Sequence, residues 1–495
     1  MLLQNLQAIS SRVPATSGLK SGSVFRSYAD LAERAARLAG GLASLGVEWG
    51  NVVAIALPNG PDLFALSYAL FGLGAVAMPL SISAPPLELA SYMRRGGARA
   101  VIGRAEAEPA LRTAISAYSP GGDVPLILSG SGSATSLEMI ANSPATRLAP
   151  LSPDDVALYL FSSGSTGLPK VVPHTHGEMI ANGQATAIDF ALHPGDVVFN
   201  NLPGNHAMGF LNSVFEVPEA GASTLYFSDP NAVMLARRRI LDTLEGERVT
   251  VLPGIPFLFD ALSGDSGPHN LSALRLVYSA GIALKRPTFE RFRERFGHDI
   301  RQAYGCTEAG HVAFNRGDDV DALWDSVGKP VGDTSVTVQS IDPGTGLGEL
   351  MLRSSSLTEG YLGMGALGSS SFPGGWFASG DLGRIDSDGN IFINGRAKLI
   401  VEIAGHKVDP LEVEEVLNQH PAIAEAVVVG VASGRAGEQR LKAVVVRRLD
   451  VTADVIIAFG KARLAPQKVP TIVEFIDAIP KSASGKVLRG RLMDG

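Results

Sequence analysis

The stretch that decides the fold is SYADLAERAARLAGGLASLG (27–46), followed by VEWGNVVAIALPN (47–59). In the first part apolar residues recur at helical spacing, and the run stops at Gly46, a residue suited to the left-handed turn that closes a helix. In the second, NVVAIALPN is an almost unbroken apolar run, the pattern of a strand covered on both faces. The pair then repeats. Leu63 to Leu87 holds 25 residues without a charge, long enough to cross a bilayer. Gly72, Gly74, Pro79, Pro85 and Pro86 interrupt it, so it reads as a buried helix, a glycine turn and a buried strand from Ala75 to Leu80. A further helix leads to the strand ARAVIG (98–103). This alternation predicts an α/β fold of parallel sheets covered by helices.

SGSGSATS (129–136) reads as a short flexible loop, and the alternation resumes from Val156 to about Ala309. Short strands with Gly and Asp turns then take over, in SVTVQSID (335–342), GELMLRS (348–354) and GRIDSDGNIFING (383–395). They predict a small β-rich, barrel-like unit. From Gly395 onward a strand, the helix DPLEVEEVLNQH (409–420), the strands AEAVVVGV (424–431) and LKAVVVRR (441–448), a second helix and the strand TIVEFID (471–477) predict a compact α+β unit. The expected division is therefore a large domain over 1–394 and a small one over 395–495.

Composition narrows the function. The chain of 495 residues is 45% hydrophobic and 18% charged, with a net charge of −7, which excludes disorder and provides no basic field for nucleic acid. From Arg396 onward there are 15 basic and 12 acidic residues, a balance of +3 that suits a small cap closing over an anionic ligand. Cys306 is the single cysteine, which excludes an internal disulfide and a cysteine zinc cluster and fits a reducing, cytoplasmic setting. The opening MLLQNLQAISSRVP lacks a basic stretch followed by an apolar core, so no signal peptide is expected.

Four stretches carry chemistry. In Leu160-Phe161-Ser162-Ser163-Gly164-Ser165-Thr166-Gly167-Leu168-Pro169-Lys170 an apolar strand runs into hydroxyls, glycines and a lysine. Glycines let backbone N–H groups face a phosphate, hydroxyls add donors, and Lys170 adds a cation. The spacing differs from that of a P-loop NTPase. Gln302-Ala303-Tyr304-Gly305-Cys306-Thr307-Glu308 offers a flat ring for a purine, a donor in Thr307 and a carboxylate in Glu308 for Mg²⁺. Ser379-Gly380-Asp381, with Arg396 fifteen residues on, suits a ribose, whose two hydroxyls one carboxylate can accept. Pro480-Lys481-Ser482-Ala483-Ser484-Gly485-Lys486 presents a lysine near the C-terminus.

In order and spacing these stretches resemble the adenylate-forming superfamily: acyl- and aryl-CoA synthetases, peptide-synthetase adenylation domains and beetle luciferases. The resemblance runs from about Phe25 to Leu492 and includes Ser279-Ala280-Gly281, Gly348-Glu349-Leu350, Gly360-Tyr361-Leu362 and Gly395-Arg396-Ala397-Lys398. It implies ATP, Mg²⁺ and coenzyme A, or a carrier protein's phosphopantetheine, as cofactors and acceptor. A carboxylate would attack the α-phosphorus of ATP to give acyl-AMP and pyrophosphate, and a thiol would then displace AMP. By the resemblance, Ser162 to Gly167 and Lys170 hold the β- and γ-phosphates, and Thr307 and Glu308 serve the phosphates and Mg²⁺. Asp381 and Arg396 hold the ribose, while Ser279, Ala280, Gly281 and Tyr304 frame adenine. Lys486 sits between carboxylate and α-phosphate, and Lys398 aligns with the hinge of a mobile C-terminal domain.

Pro203-Gly204-Asn205-His206 resembles the segment that sets a histidine beside the acid. Gly209, Phe210, Gly254, Ile255 and Gly281, with Met208, Ser213 and Val312, suggest a largely apolar pocket for a hydrophobic or aryl acid. Ala207 to Val217 lacks the aspartate that would hold an amino acid's amine, although Glu216 could imitate it. Arg435, Arg440, Lys442 and Arg447 are candidates for the CoA 3′-phosphate. His174-Thr175-His176 forms an H-x-H pair, but no metal site is expected there. Val171, Ser379, Leu399 and Glu402 depart from the family's usual residues. The leading expectation is an acyl-CoA synthetase, with a carrier-protein-loading enzyme as the alternative.

Overall fold

A computed structural model describes residues 1–119, 122–130, 136–162, 169–227, 233–281, 283–339, 347–365, 370–396, 401–403, 406–408, 410–433, 439–480, 487 and 489–493. The deciding stretch folds as read: a helix Tyr28–Ser44 followed by the strand Val52–Ala56, whose five residues are all buried. Ser27 starts the helix by accepting the Asp30 amide while the Asp30 carboxylate returns to the Ser27 backbone, a reciprocal cap. The uncharged run becomes the helix Pro61–Leu73, buried from Leu63 to Leu73, and the strand Val76–Pro79. Gly74 joins them at φ 72°, and a β-carbon there would lie 2.1 Å from the Trp49 ring. Only glycine fits that turn. Among the described residues no helix is long and apolar enough to cross a membrane.

Two sheets organise the large part of the chain. A six-stranded sheet runs Leu126–Ser129, Ala98–Arg104, Val52–Ala56, Val76–Pro79, Val156–Ser162 and Lys170–Thr175, parallel except for the last pair. A thirteen-stranded sheet has a parallel centre that includes Val197–Asn200, Val251–Gly254, Leu276–Ser279 and Ile300–Cys306. The β-rich unit joins this sheet edge to edge: Gly310–Phe314 pairs antiparallel with Ile300–Cys306, and the strands Ser326–Pro330, Ile391–Arg396, Phe377–Ile385, Gly348–Arg353 and Ser335–Gln339 follow. The C-terminal segment forms its own three-stranded sheet of Ile423–Ala432, Gln439–Arg447 and Ile472–Phe475. The helices Pro410–Leu417 and Ala453–Lys461 pack on it around a separate apolar core.

His176, the first residue of the helix His176–Asp189, is fully buried near Phe71. Neither ring nitrogen has a hydrogen-bond partner among the described residues. Burial, reinforced by the N-terminal ammonium, lowers its pKa to about 4. A depressed histidine contributes stability that is complete above the unfolded pKa of ~6.5 and is lost as pH falls toward the folded value. Between about pH 6.5 and 4 this one group should remove roughly 3 kcal/mol. His176→Phe should flatten that part of a urea-denaturation profile against pH; an unchanged slope would place the acid sensitivity elsewhere.

Candidate active site

Strand ends from both sheets carry the groups singled out above. Val156–Ser162 and Lys170–Thr175 form an antiparallel pair in which Ser162 lies opposite Lys170. Ser163, Gly164, Ser165, Thr166 and Gly167 lie outside the described residues, as do Lys398, Arg435 and Lys486. Lys170 is 8% exposed and its ammonium sits 4.2 Å from the centre of the Tyr361 ring. The Tyr361 hydroxyl donates to the Glu308 carboxylate at 2.8 Å. One aromatic side chain thus spaces the loop's cation from the carboxylate assigned to the metal. Leu362 N–H bonds the Val171 carbonyl at 3.0 Å, and Val171 itself is buried in the core beneath the strand, so the departure at 171 fills a packing position.

A second pair forms across the β-rich unit. The Tyr304 hydroxyl donates to Asp381 at 2.6 Å, and both residues are buried. Burial and the neighbouring carboxylate push the Tyr304 hydroxyl well above its ordinary range, which keeps it protonated and donating. The ladder places Asp381 directly across from Arg396. The turn before Asp381 is pinned on three sides. Ser379 Oγ donates to the Leu350 carbonyl, the Gly380 N–H donates to Glu349, and the Asp381 N–H donates to Ser379 Oγ. Glu349 is therefore a support of the Asp381 turn.

Gly254 and Ser279 end neighbouring parallel strands in register, and the Ala280 N–H bonds the Gly254 carbonyl at 3.0 Å. A β-carbon on Gly254 would come within 2.8 Å of the Leu258 side chain and 3.0 Å of the Phe259 ring, so a larger residue there would press on the helix that follows. Ile255 precedes the helix Pro256–Ser263 and is half-buried, whereas Gly281 is exposed with φ 81°. Such groups at the carboxyl ends of parallel strands occupy the place where open α/β sheets bind ligands. His206 stands at the N-cap of the helix Ala207–Leu211. Gly209 is buried against the Pro203 carbonyl, 2.6 Å from where its β-carbon would lie. Phe210 is fully buried with its ring 6.0 Å from Phe215, in the main core rather than on an open wall.

The helix then widens into one π turn, Asn212–Glu216, an irregularity frequent at functional sites. Glu216 is fully buried; Asn212 donates to it at 3.3 Å, and the His311 ring lies 3.5 Å away. Asn212 Oδ1 and His311 Nδ1 have no hydrogen-bond partner among the described residues, while His311 Nε2 is the ring atom that faces Glu216. A polar cluster thus borders the apolar one that contains Ala280 and Met208. The cations proposed for CoA are partly engaged. Lys442 pairs with Glu474 at 2.9 Å, and Arg447 stacks on Phe475 and approaches Asp450, while Arg440 is exposed. No group of three metal-binding side chains occurs among the described residues.

The family model for AMP-binding enzymes matches residues 10–362, and the model for the C-terminal domain of the same enzymes matches 412–486. The chain belongs to the AMP-binding enzyme family. It is 30% identical to a feruloyl-CoA synthase of Amycolatopsis over 97% of this chain and 96% of that protein. The ATP-bound structure of MatB from Rhodopseudomonas palustris covers all of this chain and 99% of its own at 25% identity, with a TM-score of 0.71. The o-succinylbenzoate CoA synthetase of Bacillus subtilis shares the fold at a TM-score of 0.87, with 23% identity over 99% of this chain and 98% of that one. The expected AMP-forming ligation of a carboxylic acid to a thiol therefore stands at the level of the family, with ATP and coenzyme A as its cosubstrates.

Proposed function

We propose that the chain is an acyl-CoA synthetase acting on a hydrophobic or aryl acid whose far end carries a hydrogen-bonding group. The observation that carries the nucleotide part is the buried Tyr304–Asp381 pair opposite Arg396, with Glu308, Tyr361 and Lys170 lined up on the phosphate side. In this reading Asp381 and Arg396 take the ribose hydroxyls, and Tyr304, Ser279, Ala280 and Gly281 border adenine. Ser162 to Gly167, Lys170 and Thr307 take the phosphates. Glu308 fits Mg²⁺, which commonly takes one or two carboxylates together with nucleotide phosphates and needs no three-residue cage. When bound, the ion would draw charge from the phosphates. Lys486 bridges carboxylate and α-phosphate, His206 borders the acid, and residues 395–495 turn about Lys398 between the two half-reactions.

The acid class rests on Asn212 Oδ1 and His311 Nδ1, buried atoms without a protein partner among the described residues, each of which would otherwise cost about 1–3 kcal/mol. Similarity to a feruloyl-CoA synthase supports an aryl acid and favours coenzyme A over a carrier protein. The test is ATP–pyrophosphate exchange over benzoate, 4-hydroxybenzoate, cinnamate, 4-hydroxycinnamate and octanoate, followed by thioester formation with free coenzyme A or with a phosphopantetheinylated carrier protein. Exchange with a hydroxylated aryl acid and turnover with free coenzyme A are expected. Preference for octanoate would overturn the acid class, and turnover on the carrier protein alone would overturn the acceptor.

A further inference from the structure

His174 is fully buried and stands four residues beyond Lys170 on the strand that leaves the phosphate loop. With the two-residue period of a strand, both side chains share one face of the six-stranded sheet. Its Nε2 lies 2.8 Å from the carbonyl of Thr307, which follows the strand Ile300–Cys306 of the other sheet. Its Nδ1 lies 3.3 Å from the Glu178 carboxylate. That same carboxylate oxygen accepts the Thr175 N–H at 3.2 Å and so is held by the helix cap. A carbonyl can only accept, so Nε2 carries a proton and donates it. With both nitrogens facing protein groups and no exposed surface, the ring cannot exchange a proton with a substrate. A metal role fails on the same ground.

What the ring does control is a peptide plane. The Thr307 carbonyl belongs to the planar unit that ends at the Glu308 α-carbon, so fixing its direction fixes the N–Cα bond about which the Glu308 side chain is set. Neighbouring contacts act in concert. The Glu308 carbonyl accepts the Thr358 N–H at 2.9 Å, and Thr358 Oγ1 donates to the carbonyl of Pro173, the residue before His174. We propose that His174 is a positioning residue for nucleotide binding: it ties the Thr307–Glu308 peptide to the phosphate-loop strand and so keeps phosphate- and Mg²⁺-binding groups from two sheets at one spacing. This rests on the reading above, in which Glu308 serves Mg²⁺.

Calorimetric titration of the full chain with ATP, with and without Mg²⁺, and with AMP alone tests it without knowledge of the acid. His174→Leu should weaken MgATP by about tenfold, the scale of one lost hydrogen bond and a stranded carbonyl. AMP, which lacks the outer phosphates and is read through Tyr304 and Asp381, should bind within twofold of the parent. His174→Gln, whose amide nitrogen falls near ring Nε2, should restore most of the loss. His174→Asn, whose amide falls near Nδ1, should not. If His174→Leu does not fold, the Gln–Asn contrast decides: equal MgATP affinities overturn the proposal. So does equal weakening of AMP and MgATP, which is what a general loss of structure would give. Glu308→Gln separates the two levels, because an ATP affinity in that variant that depends on Mg²⁺ as strongly as the parent's would sink the Glu308 reading itself.

Discussion

Lys486→Ala should lower adenylate formation by about 10²–10³-fold, the usual effect of removing one preorganised charge from a developing transition state, while thioester formation from supplied acyl-AMP proceeds near the parent rate. The asymmetry follows from electrostatics. In the first step a carboxylate approaches a triphosphate, and two anions must be brought to reacting distance. A cation between them is worth most as they meet, and its value rises when water is excluded. In the second step the acyl carbon is already joined to phosphate, the nucleophile is a thiol, and AMP departs as an anion that Asp381 and Arg396 have no need to repel or attract anew. Pyrophosphate release measures the first step, and AMP release from purified acyl-AMP with free coenzyme A measures the second. Equal loss in both would remove Lys486 from its role between the anions. Loss only in the second would assign it to the thiol.

The parts of this protein that were legible in the sequence are those whose signal is local. Periodicity within 27–59 gave helix and strand because burial on one stripe or both faces repeats along the chain itself. Asp381 and Arg396, fifteen residues apart, face each other across the ladder because a tight hairpin, Asp386 to Asn390, lies between them, so separation along the chain maps onto a cross-strand neighbour. Side chains that meet across the fold leave no such trace. Tyr304 was read for its flat ring, yet its hydroxyl is committed to Asp381, 77 residues away. The H-x-H pattern shows His174 only as half of a pair of imidazoles, whereas its partner Thr307 lies 133 residues on. Lys442 and Arg447 looked like free cations because sequence does not distinguish a solvated charge from one already paired with Glu474 or stacked on Phe475. Glu216 illustrates the reverse: a carboxylate predicted as a possible amine anchor is fully buried, and only the π turn explains how it comes to face His311.

Lys468→Met should lower stability by about 3–5 kcal/mol, the range for deleting one member of a buried ionic cluster. The lysine, at the end of the turn Pro466–Lys468, places its ammonium 2.8 Å from both Glu88 and Glu412 and 3.0 Å from the Tyr92 hydroxyl. The three charged side chains are only 12%, 6% and 7% exposed. Burial by itself lowers the lysine pKa, but Tyr92, Glu412 and Glu88 outweigh it and the net shift is strongly upward, so the ammonium stays charged throughout the physiological range. Glu88 and Tyr92 belong to the helix Pro86–Gly96 beside the six-stranded sheet, and Glu412 belongs to the helix Pro410–Leu417 of the C-terminal unit. The Tyr92 ring also meets Phe161, one residue before Ser162, with centroids 4.5 Å apart. The cluster therefore joins the C-terminal unit to the strand that feeds the phosphate loop. Its cost on removal comes from stranding two carboxylates, so Lys468→Met combined with Glu88→Gln and Glu412→Gln should recover more than half of the lost stability in urea denaturation. A triple variant no more stable than the single one would mean that the lysine contributes through its packed methylenes, and that its charge does not hold the two parts together.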